Sequence, residues 1–230
     1  MDKVADENLI RYLAQSRQLY GDELYRQRVP GVAEPPAPMT VKNVATLDAY
    51  QAAISDCQAC VLGAKRTNFV FGVGDPEADL VCVGEAPGAD EDAQGLPFVG
   101  RAGKLLDKIL AAIQLSREKN VYICNVLKCR PPNNRDPLES EVDLCEPYLI
   151  RQLELIRPRL IVALGRVAAK TLLKLDASVA LKDLRNKLHD YHGTPLVVTY
   201  HPAALLRSEK FKRPTWEDFK WIRQILEAED

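Results

Sequence analysis

Apolar runs of about five residues alternate with longer amphipathic runs along most of the chain, and this alternation constrains the fold more than any other feature. The run LIVAL at residues 160–164 is apolar throughout, which is typical of a strand that is buried on both faces. Predicted strands cover residues 79–84, 120–126, 159–164 and 195–200, and predicted helices cover 102–115, 138–157, 166–175 and 215–228. This order predicts an α/β fold of three α/β/α layers around a central four-stranded parallel sheet.

The first 40 residues differ in character from the rest. Residues 8–28 place apolar side chains at helical spacing, whereas residues 29–39, VPGVAEPPAPM, hold too much proline to continue a helix. We therefore predict an N-terminal helix with a Pro-rich linker over 1–40 and a main domain over 41–230, which begins with a short helix at 44–56. The N-terminal helix either packs on the flank of this domain or serves for docking.

Composition limits the possible partners and compartments. The 230 residues carry a net charge of −1, so a nucleic-acid site would have to be built from local basic clusters. No apolar run approaches the ~20 residues of a membrane span. The N-terminus, MDKVADENLIRY, lacks the basic and apolar segments of a secretion signal. We expect a cytoplasmic protein with no membrane contact.

Polar and aromatic residues follow the predicted strands, where a parallel sheet gathers its loops at one edge. The first loop, 84–103, contains five glycines and begins with Glu85. It also contains Phe98, which has no obvious core to join and is suited to stacking on a planar ligand. A loop of this length is more often functional than idle, although it could simply turn a corner.

The other two loops at this edge cover residues 125–137 and 200–214. Asn125 begins the first of them and offers both a donor and an acceptor to a ligand, or else caps its own loop. His201, after the last strand, could donate a hydrogen bond, act as an acid or base, or merely anchor the loop. The remaining histidines, His189 and His192, are interpreted as surface residues.

Both of these loops are basic. Four basic residues and one acid lie between residues 200 and 214, and the segment KCRPPNNR at 128–135 has three basic residues and no acid. Beside a cleft they could contact phosphates, with apolar residues wedging into a base stack. The alternative is an ordinary solvated face.

The six cysteines indicate metal binding or catalysis rather than a disulfide framework, because a cytoplasmic protein keeps its thiols reduced. Cys57 and Cys60 form a CxxC pair, and Cys129 and Cys145 lie on a loop and the helix after it. These four thiolates could hold either zinc or an iron–sulfur cluster. The other two cysteines, Cys82 and Cys124, lie in apolar strand runs and are expected to be buried core residues.

The combination of GEAPG-x2-ED, PFVGRAG, N-x3-CRPP-N-R and HPAALLR resembles the family 4 uracil-DNA glycosylases, which carry a four-iron cluster. The resemblance covers roughly residues 50–225 in order and leaves the N-terminal helix and linker outside. It implies a uracil-DNA glycosylase-like fold with the catalytic domain in residues 41–230. It also implies a [4Fe–4S] cluster whose ligands are Cys57, Cys60, Cys129 and Cys145.

The same resemblance implies roles for the residues of the cleft. Phe98 would stack on uracil, Asn125 would read its edge, and His201 would lie near its O2 atom. Leu205 or Leu206 would fill the gap left by the flipped base, and Arg207 would contact the DNA backbone. The implied catalytic residues are Glu85, Asn125 and His201, and the implied substrate contacts are Gly84, Ala86, Gly88, Phe98, Asn125, His201, Leu205, Leu206 and Arg207.

One departure concerns the residue that activates water. The larger superfamily often has an Asp where this chain has Ala86, so the general base is left open among Glu85, Glu91 and Asp92. The implied activity is hydrolysis of the N-glycosidic bond of deoxyuridine in single- or double-stranded DNA by a monomer, which leaves an abasic site and begins base excision repair.

Two other functions stay open from the sequence. The first is a module that grips uracil-DNA without turnover, although residues 128–137 lack the His-bearing insert of relatives that bond covalently to DNA. The second is a structural or redox iron–sulfur protein on a related fold, such as a polymerase-associated domain, although the base-reading residues are present.

Overall fold

The computed structural model describes residues 44–176 and 178–228. The predicted helix at 8–28, the linker at 29–39 and the domain boundary near residue 40 all lie outside these residues. The predicted short helix at 44–56 lies within them and is α1, Leu47–Ile54, capped by the Thr46 side chain, which accepts a hydrogen bond from the Ala49 N–H at 3.3 Å.

The centre of the molecule is a six-stranded sheet with the strand order β1-β3-β2-β4-β6-β5. The strands are β1 (Val73–Gly74), β2 (Leu80–Gly84), β3 (Val121–Asn125), β4 (Leu160–Leu164), β5 (His189–Tyr191) and β6 (Thr194–Thr199). The four inner strands are parallel, as predicted, and the two outer strands pair antiparallel to their neighbours. The outer strands have two and three residues and carry no apolar run, so the sequence pattern did not reveal them.

Helices connect the parallel strands. They are α2 (Ala89–Gln94), α3 (Arg101–Ala112), α4 (Glu139–Ile156), α5 (Arg166–Leu173), α6 (Leu181–Leu184), α7 (Pro202–Arg207) and α8 (Lys212–Glu227), with 3₁₀ turns at Pro132–Asn134 and Glu209–Phe211. The expected loop at 200–214 is therefore wrong, because that segment is largely helical. Pro202 at the first helical position has a fixed φ suited to helix entry, and the His201 side chain caps the turn.

The sheet separates two hydrophobic layers, as the three-layer prediction requires. Val81 and Val83 of β2 face the side covered by α1, α4 and α5, while Leu80 and Cys82 face the side covered by α3 and α8. Successive residues of a strand point to opposite faces, so an entirely apolar strand buries both. Cys82 and Cys124 are fully buried, as expected.

The strand order places the loops that follow the strands in one crevice. The chain passes from β2 to β3 on one side of β2, and later continues at β4 on the other side. In an open α/β sheet such a reversal leaves a crevice at the carboxyl ends of the central strands, which is where ligands bind. Within the described residues, the helices are all too short or too polar to cross a membrane.

Candidate active site

A cavity of about 560 Å³ opens at the carboxyl edge of the sheet. Its lining includes the residues after β2, β3, β4 and β6, which the sequence places up to 120 residues apart. The predicted site residues that line it are Glu85, Ala86, Gly88, Phe98, Asn125, His201 and Arg207. The fold thus brings together most of the residues predicted to bind the substrate, whereas Gly84, Leu205 and Leu206 do not line this cavity.

The ring of Phe98 is held at the cavity by its own loop. Phe98 has a φ of 54°, a left-handed conformation that a non-glycine residue rarely adopts. The Arg117 guanidinium donates to the carbonyl oxygens of Pro97 and Phe98 at 2.8 and 2.5 Å. At Gly103 a Cβ atom would lie 1.7 Å from the Phe98 carbonyl oxygen, so only glycine fits beneath the turn.

Gly84 allows Asn125 and Phe98 to pack against the end of β2. A Cβ atom at Gly84 would lie 2.3 Å from Asn125 Oδ1 and 2.7 Å from the Phe98 ring. Asn125 is only 2% exposed, yet its side-chain amide forms no hydrogen bond with the backbone or the side chains of residues 44–176 and 178–228, and only its main-chain oxygen accepts one, from Lys128. The amide therefore does not cap its own loop, and it can pair with a ligand in the cavity.

His201 is fixed as a neutral hydrogen-bond donor. Its Nδ1 atom accepts from the Ala203 N–H at 3.1 Å, which leaves the ring proton on Nε2. Burial lowers the pKa of His201 to about 4, with a further contribution from Arg207 and opposition from Glu91. At neutral pH the imidazole is uncharged and can stabilise a developing anion through Nε2–H.

The sequence analysis missed Gly165, which lies behind this histidine. Gly165 follows β4 with a φ of 94°, and a Cβ atom there would lie 2.8 Å from His201 Cβ. The signal in the sequence was a glycine directly after an entirely apolar strand. Gly165 therefore sets how closely His201 can approach the end of β4.

Glu85 is the carboxylate whose ionisation is most altered at the cavity. Burial, with a smaller contribution from Asp136 and against the opposing effect of Arg166, raises the pKa of Glu85 to about 7. Asp136 and Arg166 form an ion pair of 3.3 Å between exposed side chains at the mouth of the cavity. Glu85 therefore changes charge near neutral pH, where a group can serve as acid or base.

The other two candidates for the general base are occupied by the backbone. Glu91 accepts from the N–H groups of Gly88, Val99 and Gly100 at 3.1, 3.1 and 3.2 Å. Asp92 accepts from the N–H and the hydroxyl group of Thr67, both at 2.9 Å. These contacts join the Phe98 loop and the chain before β1 to α2. Their carboxylates thus hold the loops together, whereas Glu85 is the candidate that lines the cavity without such backbone contacts.

The apolar and basic residues predicted to meet DNA divide into two groups. Leu206 is 43% exposed on α7, whereas Leu205 is 3% exposed and belongs to the buried interior. Lys128, which we expected on a phosphate-binding loop, has no exposed surface, so that expectation is wrong. Arg135 is held by Glu141 through bonds of 2.8 and 2.5 Å. Leu206 thus remains the exposed apolar side chain, next to Arg207 at the cavity.

The two histidines outside the cavity, His189 and His192, lie in β5 and directly after it. His192 is exposed, as expected for a surface residue. His189 is half-buried in β5, and its Nε2 atom lies 2.8 Å from the Leu184 carbonyl oxygen. The surface interpretation is therefore incomplete for His189, which ties an edge strand to α6.

Four cysteines lie near one another beside α4. N–H groups reach three of the sulfur atoms: Ala59 to Cys57 at 3.5 Å, Lys128 to Cys145 at 3.3 Å and Arg66 Nη1 to Cys129 at 3.5 Å. Burial raises the pKa of Cys129 to about 11, Arg66 opposes it, and Cys60 and Cys57 add to it. Burial likewise raises the pKa of Cys145 to about 12, with Cys129 and Cys60 among the lesser causes. The four thiols are therefore close enough to influence one another.

These sulfur atoms do not converge on a single point. Among the described residues, no three His, Cys, Asp or Glu side chains are grouped so that they could hold one metal ion. The four thiols thus lie together without a preformed site for a single ion.

Known proteins are similar to this chain over most of its length. The sequence profile of the uracil DNA glycosylase superfamily matches residues 71–220, and the chain belongs to that superfamily. The type-4 uracil-DNA glycosylase of Archaeoglobus fulgidus is 47% identical over 186 residues, which cover 78% of this chain and 93% of the relative. That of Sulfurisphaera tokodaii is 42% identical over 186 residues, covering 78% and 84%.

A more distant relative helps to place the chain within the superfamily. The type-5 uracil-DNA glycosylase of Pyrobaculum aerophilum is 33% identical over 146 residues, covering 57% of this chain and 64% of the relative. The chain thus groups with the type-4 enzymes, as the sequence motifs predicted.

Proposed function

We propose that this chain is a uracil-DNA glycosylase that excises uracil from DNA and so begins base excision repair. The observation that carries the proposal is the convergence of a stacking ring, an unengaged buried amide and a neutral imidazole on one cavity, from Phe98, Asn125 and His201. The names of the relatives support it, since the most similar of those described act on uracil in DNA.

Recognition of the base rests on the Asn125 amide. Uracil has an N3–H donor beside an O4 acceptor, and an amide can accept from the first and donate to the second. Cytosine presents the reverse pattern, so it would leave polar groups unpaired in a buried pocket. Flipping the nucleotide costs a few kcal/mol, which stacking on Phe98 would help to offset.

The reaction follows from the charges around the cavity. The C1′–N1 bond breaks with its electron pair passing to uracil, and the sugar becomes an oxocarbenium-like cation. His201 Nε2–H donates to uracil O2, where negative charge develops. The ionised Glu85 stabilises the cation and takes a proton from the water whose hydroxyl adds to C1′, while the uracil anion gains a proton from solvent. The products are uracil and an abasic site.

Contact with DNA would come from the short helix after β6. Exposed Leu206 would enter the gap left by the flipped nucleotide, and Arg207 would contact the phosphate backbone. Leu205 is excluded from this role by its burial. The substrate would be uracil in single- or double-stranded DNA. The protein would act as a monomer.

We further propose that Cys57, Cys60, Cys129 and Cys145 hold a [4Fe–4S] cluster. The residues fit the group, because four buried or half-buried thiols lie together and N–H groups donate to three of the sulfur atoms. Each thiolate of such a cluster binds a different iron, so the sulfur atoms need not converge on a point. When bound, the cluster would join the CxxC turn, the loop after β3 and helix α4. Hydrolysis of a glycosidic bond involves no electron transfer, so the role of the cluster would be to hold these segments together.

The test of the activity is incubation with a single-stranded oligonucleotide that contains one uracil, followed by cleavage of abasic sites in alkali. We expect cleavage at the uracil and none in matched oligonucleotides that contain cytosine or thymine. An intact uracil strand would contradict the enzymatic function. A protein–DNA adduct that resists SDS, without cleavage, would instead indicate a module that binds uracil-DNA and does not turn over.

A further inference from the structure

Lys128 is completely buried, and the proposed reaction does not use it. Its side chain is 0% exposed, and Nζ donates to the Asn125 carbonyl oxygen at 2.7 Å and to Gln152 Oε1 at 2.5 Å. A lysine is almost never fully buried unless partners satisfy its ammonium group. These two contacts connect the last residue of β3, which reads the base, to helix α4.

Helix α4 holds its end of this connection firmly. Gln152 is itself fully buried, and its Nε2 atom donates to the Phe71 carbonyl oxygen at 3.0 Å. The amide therefore cannot rotate without losing one partner. Its Oε1 atom is directed at Lys128, so the lysine is held from both sides.

The same face of α4 contacts the four-cysteine centre. Cys145, Tyr148 and Gln152 are spaced three and four residues apart, which places them on one side of a helix. Cys145 Sγ accepts from the Lys128 N–H at 3.3 Å, and Tyr148 Oη lies 3.1 Å from Cys57 Sγ. Lys128 thus meets this face through its main chain at Cys145 and through its side chain at Gln152.

We propose that Lys128 is a positioning residue for base recognition, which fixes Asn125 relative to α4 and the cysteines. The inference rests on the proposed function. The carbonyl group of Asn125 belongs to the peptide plane that follows its Cα atom, so holding that plane restricts the direction of the side chain. An amide that must form two hydrogen bonds to one base edge tolerates little displacement. The cysteine centre would then support recognition through geometry alone.

The test is a double-mutant cycle that combines Lys128→Met with Asn125→Ala. In the wild-type background, Lys128→Met should lower the single-turnover rate on uracil-DNA about tenfold, with little change in the DNA concentration that gives half the maximal rate. In the Asn125→Ala background the same change should alter the rate by less than about twofold, because the residue through which it acts is gone.

Iron content and absorbance near ~400 nm should stay at wild-type levels in Lys128→Met, because all four cysteines remain. Leu110→Ala, a cavity variant of the opposite hydrophobic layer, is the control for general destabilisation. Its effect on rate should be the same in both backgrounds.

An equal loss of rate in both backgrounds, or no loss in either, would overturn the positioning role. Should Lys128→Met fail to fold, Gln152→Met can replace it in the same cycle. That change removes the contact of the Lys128 side chain with α4 and leaves the lysine in place. Wild-type protein without uracil excision would instead overturn the proposed function, and the positioning role with it.

Discussion

On the proposed function, the Asn125 amide decides which base the cavity accepts. Its oxygen lies against the space that Gly84 leaves, and its surroundings are almost completely shielded from solvent. In such a place an unpaired polar group costs about 1–3 kcal/mol. Selectivity then depends on the order of one donor and one acceptor.

Replacing that amide by a carboxylate tests this directly. Asn125→Asp has nearly the same shape, but its ionised side chain only accepts. It should lose about 10- to 100-fold in uracil cleavage, which corresponds to about 1–3 kcal/mol, and it should gain weak cleavage of cytosine through N4–H₂. Single-turnover assays on matched uracil and cytosine oligonucleotides measure both. Wild-type uracil rates in the variant would show that Asn125 does not read the base.

The ionisation of Glu85 predicts how the enzyme responds to pH. Burial raises its pKa to about 7, so its carboxylate forms as the pH rises through neutrality. The single-turnover rate should therefore increase from pH 6 to pH 8 and then level off. Glu85→Gln should be slower, and its rate should be nearly independent of pH in this range. A wild-type rate that is flat across this window would remove Glu85 from the reaction.

The same ionisation also affects stability. An acid whose pKa is raised in the folded state, from an ordinary 4.5 to about 7, stabilises the fold fully below its unfolded pKa. That contribution is lost as the pH rises from about 4.5 to 7. Glu85→Gln should accordingly gain thermal stability relative to wild type at pH 8, compared with their difference at pH 4. This measurement needs no activity, so it checks the pKa separately from the mechanism.

At the scale of elements, the cavity depends on how closely the ends of neighbouring strands approach. Gly165 follows β4 with a positive φ. Because it has no Cβ atom, it leaves room for the Cβ atom of His201 after β6. Gly193, in the turn between β5 and β6, also has a positive φ but has open space around it. Substitutions at the two glycines therefore distinguish the effect of backbone strain, which both share, from the effect of crowding against His201, which only Gly165 has.

Gly165→Ala and Gly193→Ala should both lose about 1–2 kcal/mol to left-handed backbone strain, which lowers the melting temperature by a few degrees. Only Gly165→Ala should also displace His201 and reduce the single-turnover rate, by about tenfold or more. Thermal melts and rates on the same preparations check this. Equal rates in the two variants would mean that His201 does not depend on Gly165.

Elements with a strong apolar period were predictable from the sequence, and the others were not. The strand Leu160–Leu164 and the helix Glu139–Ile156 agree with their predictions within a few residues. The edge strand Val73–Gly74 is defined by pairing with β3 rather than by its own residues. The burial of Lys128 was not predictable either, because its partner Gln152 lies 24 residues away on another element.

At the scale of the whole molecule, the four proposed ligand cysteines belong to segments that are distant in sequence. Cys57 belongs to the turn after α1, Cys129 to the loop after β3, and Cys145 to α4. The motifs of the sequence were enough to propose this set, whereas the donors around the sulfur atoms came only from the structure. Closing long loops restricts the unfolded chain, so binding a cluster would be coupled to folding.

Cys129→Ser should therefore lose most of the iron and unfold at a lower temperature than wild type. Cys82→Ser replaces a buried cysteine of β2 instead and should keep the iron, even where stability falls. Iron analysis, absorbance near ~400 nm and thermal melts give the comparison. Full iron content in Cys129→Ser would reject the ligand set, and a native protein that contains zinc would reject the cluster.

The cap of α7 links the surface of the molecule to the chemistry in its interior. His201 caps this six-residue helix at one end, and Leu206 projects near the other. On the proposed function, a force that DNA exerts on the leucine would reach the imidazole through this one short helix. Placement of the histidine at the flipped base would then be coupled to insertion of the leucine into the helical stack. A nucleotide that lets the leucine enter only partway would leave the proton donor out of line, which makes DNA deformability a second criterion of selection beside the base edge.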